Sequence, residues 1–223
     1  LLASSQLING GHPDSTDADG TIADIGTYPY LNSYSGPTWY ISESGNDTTA
    51  TGATDNPFRS IQAGINFSSD ADSVTVAAGT YVENINFRGR NIKVAGADRE
   101  TTIIDGNQDG SVVTFENGED STAVLSGFIV QNGNAPLGGG IYIPGTGASD
   151  ETDPSPTIRD VIVRDNNGGG ISIIYGSPTI DNAIIKDNEG FHGAGVSCNN
   201  KNFNGESPKL TNVVITDNVG TDY

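Results

Sequence analysis

The chain has 223 residues, with 28 acidic against 10 basic side chains for a formal charge of −18, and only 34% of it is hydrophobic. Such a charge repels phosphate backbones and anionic headgroups, which sets aside nucleic acid and lipid surfaces as partners, and no apolar run reaches the ~20 residues of a membrane-spanning helix. Thirty glycines and a lean apolar content suit a long thin core with frequent turns better than a thick globule.

In chain order, the first notable feature is an acidic stretch in which Asp14, Asp17, Asp19 and Asp24 surround Gly20. Closely spaced carboxylates around a glycine turn suit the many oxygen ligands of calcium, although Gly26 stands where an EF-hand loop closes with glutamate; a plain acidic turn is the alternative. Next comes the one helical signature, Pro57 to Phe67, in which Ser60 can cap and Phe58, Ile61 and Ile65 share a face. Short strands follow at Asp72 to Val76, Ala78 to Phe87, Asn91 to Ala95 and Thr101 to Gly106.

Beyond these the chain repeats itself. Pro156 to Asn166, Pro178 to Asn188 and Pro208 to Asn218 align without gaps, and Leu125 to Asn132 is a degenerate earlier copy. The unit recurs after 22 residues and then after 30, so a loop at Asn199 to Ser207 lengthens the second interval while the strand stays fixed. Glycine clusters at Gly138, Gly168 and Gly193 each lead into another short apolar strand. A strand of four to six β-branched residues cannot bury itself alone, but it can when stacked about 4.8 Å from its equivalent in the next repeat.

The pattern therefore predicts an all-β fold: a right-handed parallel β-helix, a solenoid with a short N-terminal capping helix that covers the first coil. Ile158, Ile180 and Leu210 are expected to form one internal column, and Val163, Ile185 and Ile215 another. Asp160, Asn182 and Asn212 align at a corner where a short polar side chain tolerates left-handed backbone. Cys198 alternates like a small core residue, and no Cys/His metal spacing surrounds it. With no methionine and an opening Leu1-Leu2-Ala3, the sequence reads as a processed product or a piece of a longer chain.

Trp39 to Asp47, Asn56 to Ala63 and Val76 to Asn84 closely resemble the opening of secreted bacterial right-handed parallel β-helix proteins of the pectate-lyase-like superfamily. The resemblance covers Pro37 to Tyr223. Leu7 to Tyr28 is similar instead to the segment that closes such a β-helix at its C-terminal side, so the order is permuted. This divides the chain into residues 1–36, a closing element of a preceding or neighbouring β-helix, and residues 37–223, the β-helix itself. Either a complete subunit that stacks head to tail or a fragment spanning two domains accounts for the permutation.

The resemblance implies a fold that hosts lyases, hydrolases, adhesins and inert stalks. Polygalacturonase-like hydrolysis uses an adjacent Asp-Asp pair, which this chain lacks, and His192 in Phe191-His192-Gly193 has no such partner set. A lyase-like site needs a basic residue beside acidic calcium ligands. Arg164-Asp165 and Lys186-Asp187 come nearest, yet the next coil places Thr216 there, which suits an exposed charge ladder. No catalytic residue is assigned.

Tyr142, Tyr175 and Phe203 could stack on sugar rings, and Asn46-Asp47-Thr48 and Asn66-Phe67-Ser68 match glycosylation sequons. The expectation is a non-catalytic extracellular or cell-surface structural module, with copies of itself or adjacent β-helix domains as partners and calcium as a candidate cofactor. A glycan-binding module or a polysaccharide lyase or hydrolase is the alternative.

Overall fold

The repeats lie directly over one another as successive coils of a parallel β-helix. The computed structural model describes residues 2–26, 30–147, 153–199 and 207–221. Seventeen strands and one helix occur among them, and every pairing between these strands is parallel.

The longest sheet stacks Thr38–Ile41, Ser73–Val76, Lys93–Gly96, Val124–Gln131, Thr157–Arg164, Thr179–Lys186 and Lys209–Thr211 in that order. Its register places Trp39, Val74, Val94, Leu125, Ile158, Ile180 and Leu210 in one column. A second column runs Tyr81, Ile104, Val130, Val163, Ile185 and Ile215. A smaller sheet supplies the facing wall with Ile85, Val113, Ile141, Ile171 and Val196 in register. A short strand gains its burial from the coils above and below it, which is why isolated four-residue β-branched runs suffice here.

The long strands bend part-way. Asp160, Asn182 and Asn212 hold φ of +53°, +49° and +52°, and Gly127 takes the equivalent place in the coil before. Left-handed backbone costs Asp and Asn least among non-glycine residues because their short side chains bond locally. Asn182 Nδ2 donates to Asp160 Oδ1 at 2.6 Å, tying two corners together. A second bend repeats at Asn132, Asp165, Asp187 and Asp217, with φ between +53° and +57°.

The helix Ile61–Phe67 closes the N-terminal end of the stack, and all seven of its residues are buried. Ser60 precedes it but makes no side-chain capping bond; two carboxylates from elsewhere do that work, as described below. Around the helix an aromatic plug forms: Phe58 stacks on Phe67 with centroids 5.3 Å apart, and Trp39 lies 5.7 Å from Phe67. Gly64 sets the approach of helix to coil, since a Cβ there would sit 2.8 Å from Val74 Cγ1 and 2.9 Å from Ile41 Cδ1. Gly64→Ala should therefore lower stability by about 1–2 kcal/mol in chemical denaturation, because overpacking outweighs the ~1 kcal/mol gained in helix propensity.

Candidate functional site

The side chains with most to do gather at the two ends of the stack. At the closed end, Glu83 receives the N–H of Ile61 at Oε1 (2.7 Å) and that of Gln62 at Oε2 (3.0 Å). Asp47 Oδ1 receives the N–H groups of Arg59 and Ser60 at 2.8 and 3.1 Å. Together they satisfy the donors that a helix start leaves open. Burial pushes the Glu83 carboxyl up to about 7, the two N–H donors pull it back, and nearby Asp47 adds to the rise.

Glu43, Asp47, Arg59, Tyr81 and Glu83 line a cleft of about 410 Å³ beside Ser4 and Gln6 of the N-terminal segment. Burial, with Glu43 and Glu83 close by, pushes the Tyr81 phenol up to about 12. Most of the cleft's acceptors already serve structure: besides the bonds above, Glu43 Oε1 takes the Thr80 N–H at 2.9 Å. Here Glu83 and Asp47 hold the start of the helix in place.

A side-chain chain continues from the helix into the N-terminal segment. Gln62 Nε2 donates to Asn66 Oδ1 at 3.0 Å and to Asn86 O at 3.2 Å. Asn66 Nδ2 donates to the carbonyls of Ala3 and Ser5 at 2.9 and 2.8 Å, and Arg88 Nη1 joins Asn66 Oδ1 to Ile8 O. Ala3 and Ile8 are fully buried. The segment thus seats on the capping helix of its own chain. Asn66, one of the two sequons, is buried with its amide nitrogen spent, whereas Asn46 of the other is exposed.

The acidic residues of that segment staple its loop. Asp17 Oδ2 receives the Asp24 N–H, Asp19 receives the N–H groups of Thr21 and Asn32, and Asp24 receives those of Asn9 and Tyr30. Burial alone would raise the Asp19 carboxyl; hydrogen bonds from Asn32 and Thr21 outweigh it and hold the group below its ordinary range. Asp14 points to solvent beside His12. Among the described residues no group of three or more His, Cys, Asp or Glu side chains is placed to hold a metal ion.

Residues 43–88 match the family described as protein of unknown function (DUF1565). It is a domain associated with β-helix proteins. The match covers about a fifth of the chain and coincides with the closed end, from Glu43 through the helix to Arg88. No curated protein and no solved structure matches the chain.

On the outer wall, Arg164 and Lys186 are in register, and each pairs with the aspartate that follows it, at 3.5 and 3.0 Å. Arg164 Nη2 also donates to Gln131 Oε1 at 2.9 Å, in the coil before. This is a ladder of local pairs. His192 is exposed with its ring edge-on to Phe191. Tyr142 and Tyr175 are half-buried, and Phe203 lies outside the described residues.

The final described coil runs from Lys209 to Gly220. Ile158 and Ile180 are fully buried, but Leu210, next in their column, is 43% exposed. Val214, Ile215 and Val219 are 54%, 49% and 57% exposed. Cys198 shares an inward column with Ile143 and Ile173 and is exposed for the same reason.

Through this end runs a feature missed in the sequence: an internal asparagine rung. Asn166 Nδ2 donates to Val130 O, Arg164 O and Asn188 Oδ1, and the last bond is 2.9 Å. Asn188 Nδ2 repeats the pattern to Val163 O, Lys186 O and Asn218 Oδ1, again at 2.9 Å. Its only sequence signal was that each repeat ends in asparagine.

Proposed function

We propose that the chain is a non-catalytic structural module of an extracellular assembly, joined end to end with other β-helical units. One observation carries this reading. The exposed large apolar side chains among the described residues collect at the two ends: Leu2, Leu7, Ile22, Ile25 and Leu31 in the N-terminal segment, and Leu210, Val214, Ile215 and Val219 in the last coil. Val82 and Phe191 complete the set.

Exposed apolar side chains that gather in one part of a surface mark contact sites. The secreted pectate-lyase-like resemblance supports the extracellular setting. The paired acids of the closed end and the locally paired Arg164 and Lys186 support a structural rather than a chemical role. Joining through the last coil would bury several aliphatic side chains, each contributing about 1.5–3 kcal/mol when fully covered.

Sedimentation velocity over a wide protein range tests the reading. The wild type should associate with rising concentration, the double variant Leu210→Glu/Ile215→Glu should stay monomeric, and Val82→Glu should behave as wild type. A wild type that remains monodisperse at high concentration, or a Val82→Glu variant that loses association equally, overturns it.

A further inference from the structure

We infer that the seam between the N-terminal segment and the first coils is a binding pocket for a small hydroxylated carboxylate, held by Arg88 and Arg90 through its charge and by Asn9 through its hydroxyl. The inference stands apart from end-to-end joining.

A cavity of about 640 Å³ lies along this seam, lined by Asn9, Asp19 and Tyr34 on one side and by Phe67, Arg88 and Arg90 on the other. Three of these side chains converge on one residue. Asn9 Nδ2 and Arg90 Nη2 both donate to the Asn66 carbonyl, at 2.8 and 3.1 Å, and Arg88 Nη1 donates to Asn66 Oδ1 at 2.8 Å. Both guanidinium groups and the Asn9 amide are thus gathered around a single asparagine.

What these groups lack points to the ligand. With 28 acidic against 10 basic side chains, a carboxylate partner is easy to find, and Arg99, Arg159, Arg164 and Lys186 each have one within 3.5 Å. Arg59, Lys93 and Lys209 are exposed to water. Arg88 and Arg90 are half-buried and make no ion pair among the described residues; they donate instead to Ile8 O, Ser68 O and Asn66. Arg88 Nε and Nη2 and Arg90 Nη1 have no partner among the described residues. Burial and the neighbouring Arg88 pull the Arg90 guanidinium down to about 10, which the Asp70 charge only partly offsets. Two desolvated like charges call for a shared anion, and the planar fork of a guanidinium fits a carboxylate.

Asn9 Oδ1 adds a second requirement. It is buried without a hydrogen-bond partner, and such an acceptor calls for an O–H or N–H donor. Asp19 and Asp70 also line the cavity, but when ionised neither has a proton to donate. A bare anion would leave Asn9 Oδ1 unmet, and a neutral polyol would leave the two charges unmet. A molecule with a hydroxyl close to its carboxylate serves both, either as a free hydroxy acid or as the acidic sugar of a glycan.

Calorimetric titration at matched ionic strength tests the pocket with lactate, propionate and glucuronate. Lactate should bind saturably at one site, and propionate, which lacks the hydroxyl, about tenfold or more weakly. Tighter binding of glucuronate than of lactate assigns the pocket to an acidic sugar, and the reverse order assigns it to a free hydroxy acid. Arg90→Gln should weaken binding about tenfold or more, while Arg59→Gln, at an exposed arginine, should leave it unchanged. Asn9 has a φ of +48°, which aspartate also tolerates. Asn9→Asp therefore supplies a carboxylate from within the chain, and it should abolish binding while the circular dichroism spectrum is unchanged.

No saturable heat with either lactate or glucuronate, propionate binding as tightly as lactate, or an equal loss in Arg59→Gln overturns the inference. None of these results alters the sedimentation expected above, and a wild type that stays monomeric there leaves this pocket in place.

Discussion

Replacing Asn188 with alanine is expected to cost roughly 3–5 kcal/mol, the largest loss of any single substitution away from the aromatic plug. The side chain is fully buried and bonded both up and down the stack. Its removal strands the Asn166 N–H and takes a donor from the carbonyls of Val163 and Lys186, while the Asn218 oxygen keeps only the Asn188 backbone N–H, and a buried group left without a partner costs about 1–3 kcal/mol. Asn188→Asp should be as damaging, since the change removes two donors and introduces a buried charge facing carbonyl oxygens. Urea unfolding checks both: the midpoint should fall while the slope holds. By contrast Asn182→Ala, at an exposed corner of the same coil, should cost less than half as much. Equal losses at the two positions would show that the internal rung has no special weight.

The second large effect is a pH dependence that runs opposite to ordinary acid denaturation. Glu83 ordinarily ionises at 4.5 and in the folded chain at about 7. The folded state therefore binds its proton more tightly than the unfolded state does. Stability from this group is complete below pH 4.5, declines as pH rises toward 7, and is flat above. A shift of that size corresponds to roughly 3 kcal/mol, and the part of the side chain still open to the cleft trims this to about 2 kcal/mol.

Glu83→Gln keeps a carbonyl for one of the two helix N–H groups and removes the titration. It should melt at nearly the same temperature from pH 5 to pH 7.5 and match or exceed wild type at the upper limit. A variant that retains the wild-type slope would assign the effect to other carboxylates. Asp19 acts in the other direction at lower pH, since its depressed value means that its contribution is present above the ordinary carboxylate range and lost as pH falls through the folded value.

Most of the architecture was legible because a stacked fold writes itself into the sequence several times. Ile158, Ile180 and Leu210 could be aligned by eye, and their registers follow that alignment. The corner residues were equally readable, since Asp and Asn at a fixed offset from an aliphatic position have few reasons to recur other than left-handed backbone. The asparagine rung was in view as the end of every repeat, but sequence alone does not say whether a terminal asparagine turns inward or outward.

The closed end was harder. Ser60 sits where a capping residue belongs, yet the caps come from Glu83, 22 residues from Ile61, and Asp47, 13 residues from Ser60. No local spacing rule relates them to the helix, and only the folding of the first coil brings them there. The exposure of Leu210 and Cys198 was missed for a related reason: repeat alignment identifies the column a residue belongs to, whereas burial also needs a neighbour on both sides.

Because the bonds between coils run along the direction of stacking, a pull applied to the two ends loads the rungs in series. The aromatic plug around Trp39, Phe58 and Phe67 anchors one end, so yielding should begin at the Leu210 coil and travel backward one unit at a time. Under tension such a rod would lengthen in steps of a single repeat and would heal in the reverse order, acting as a reversible extensible spring.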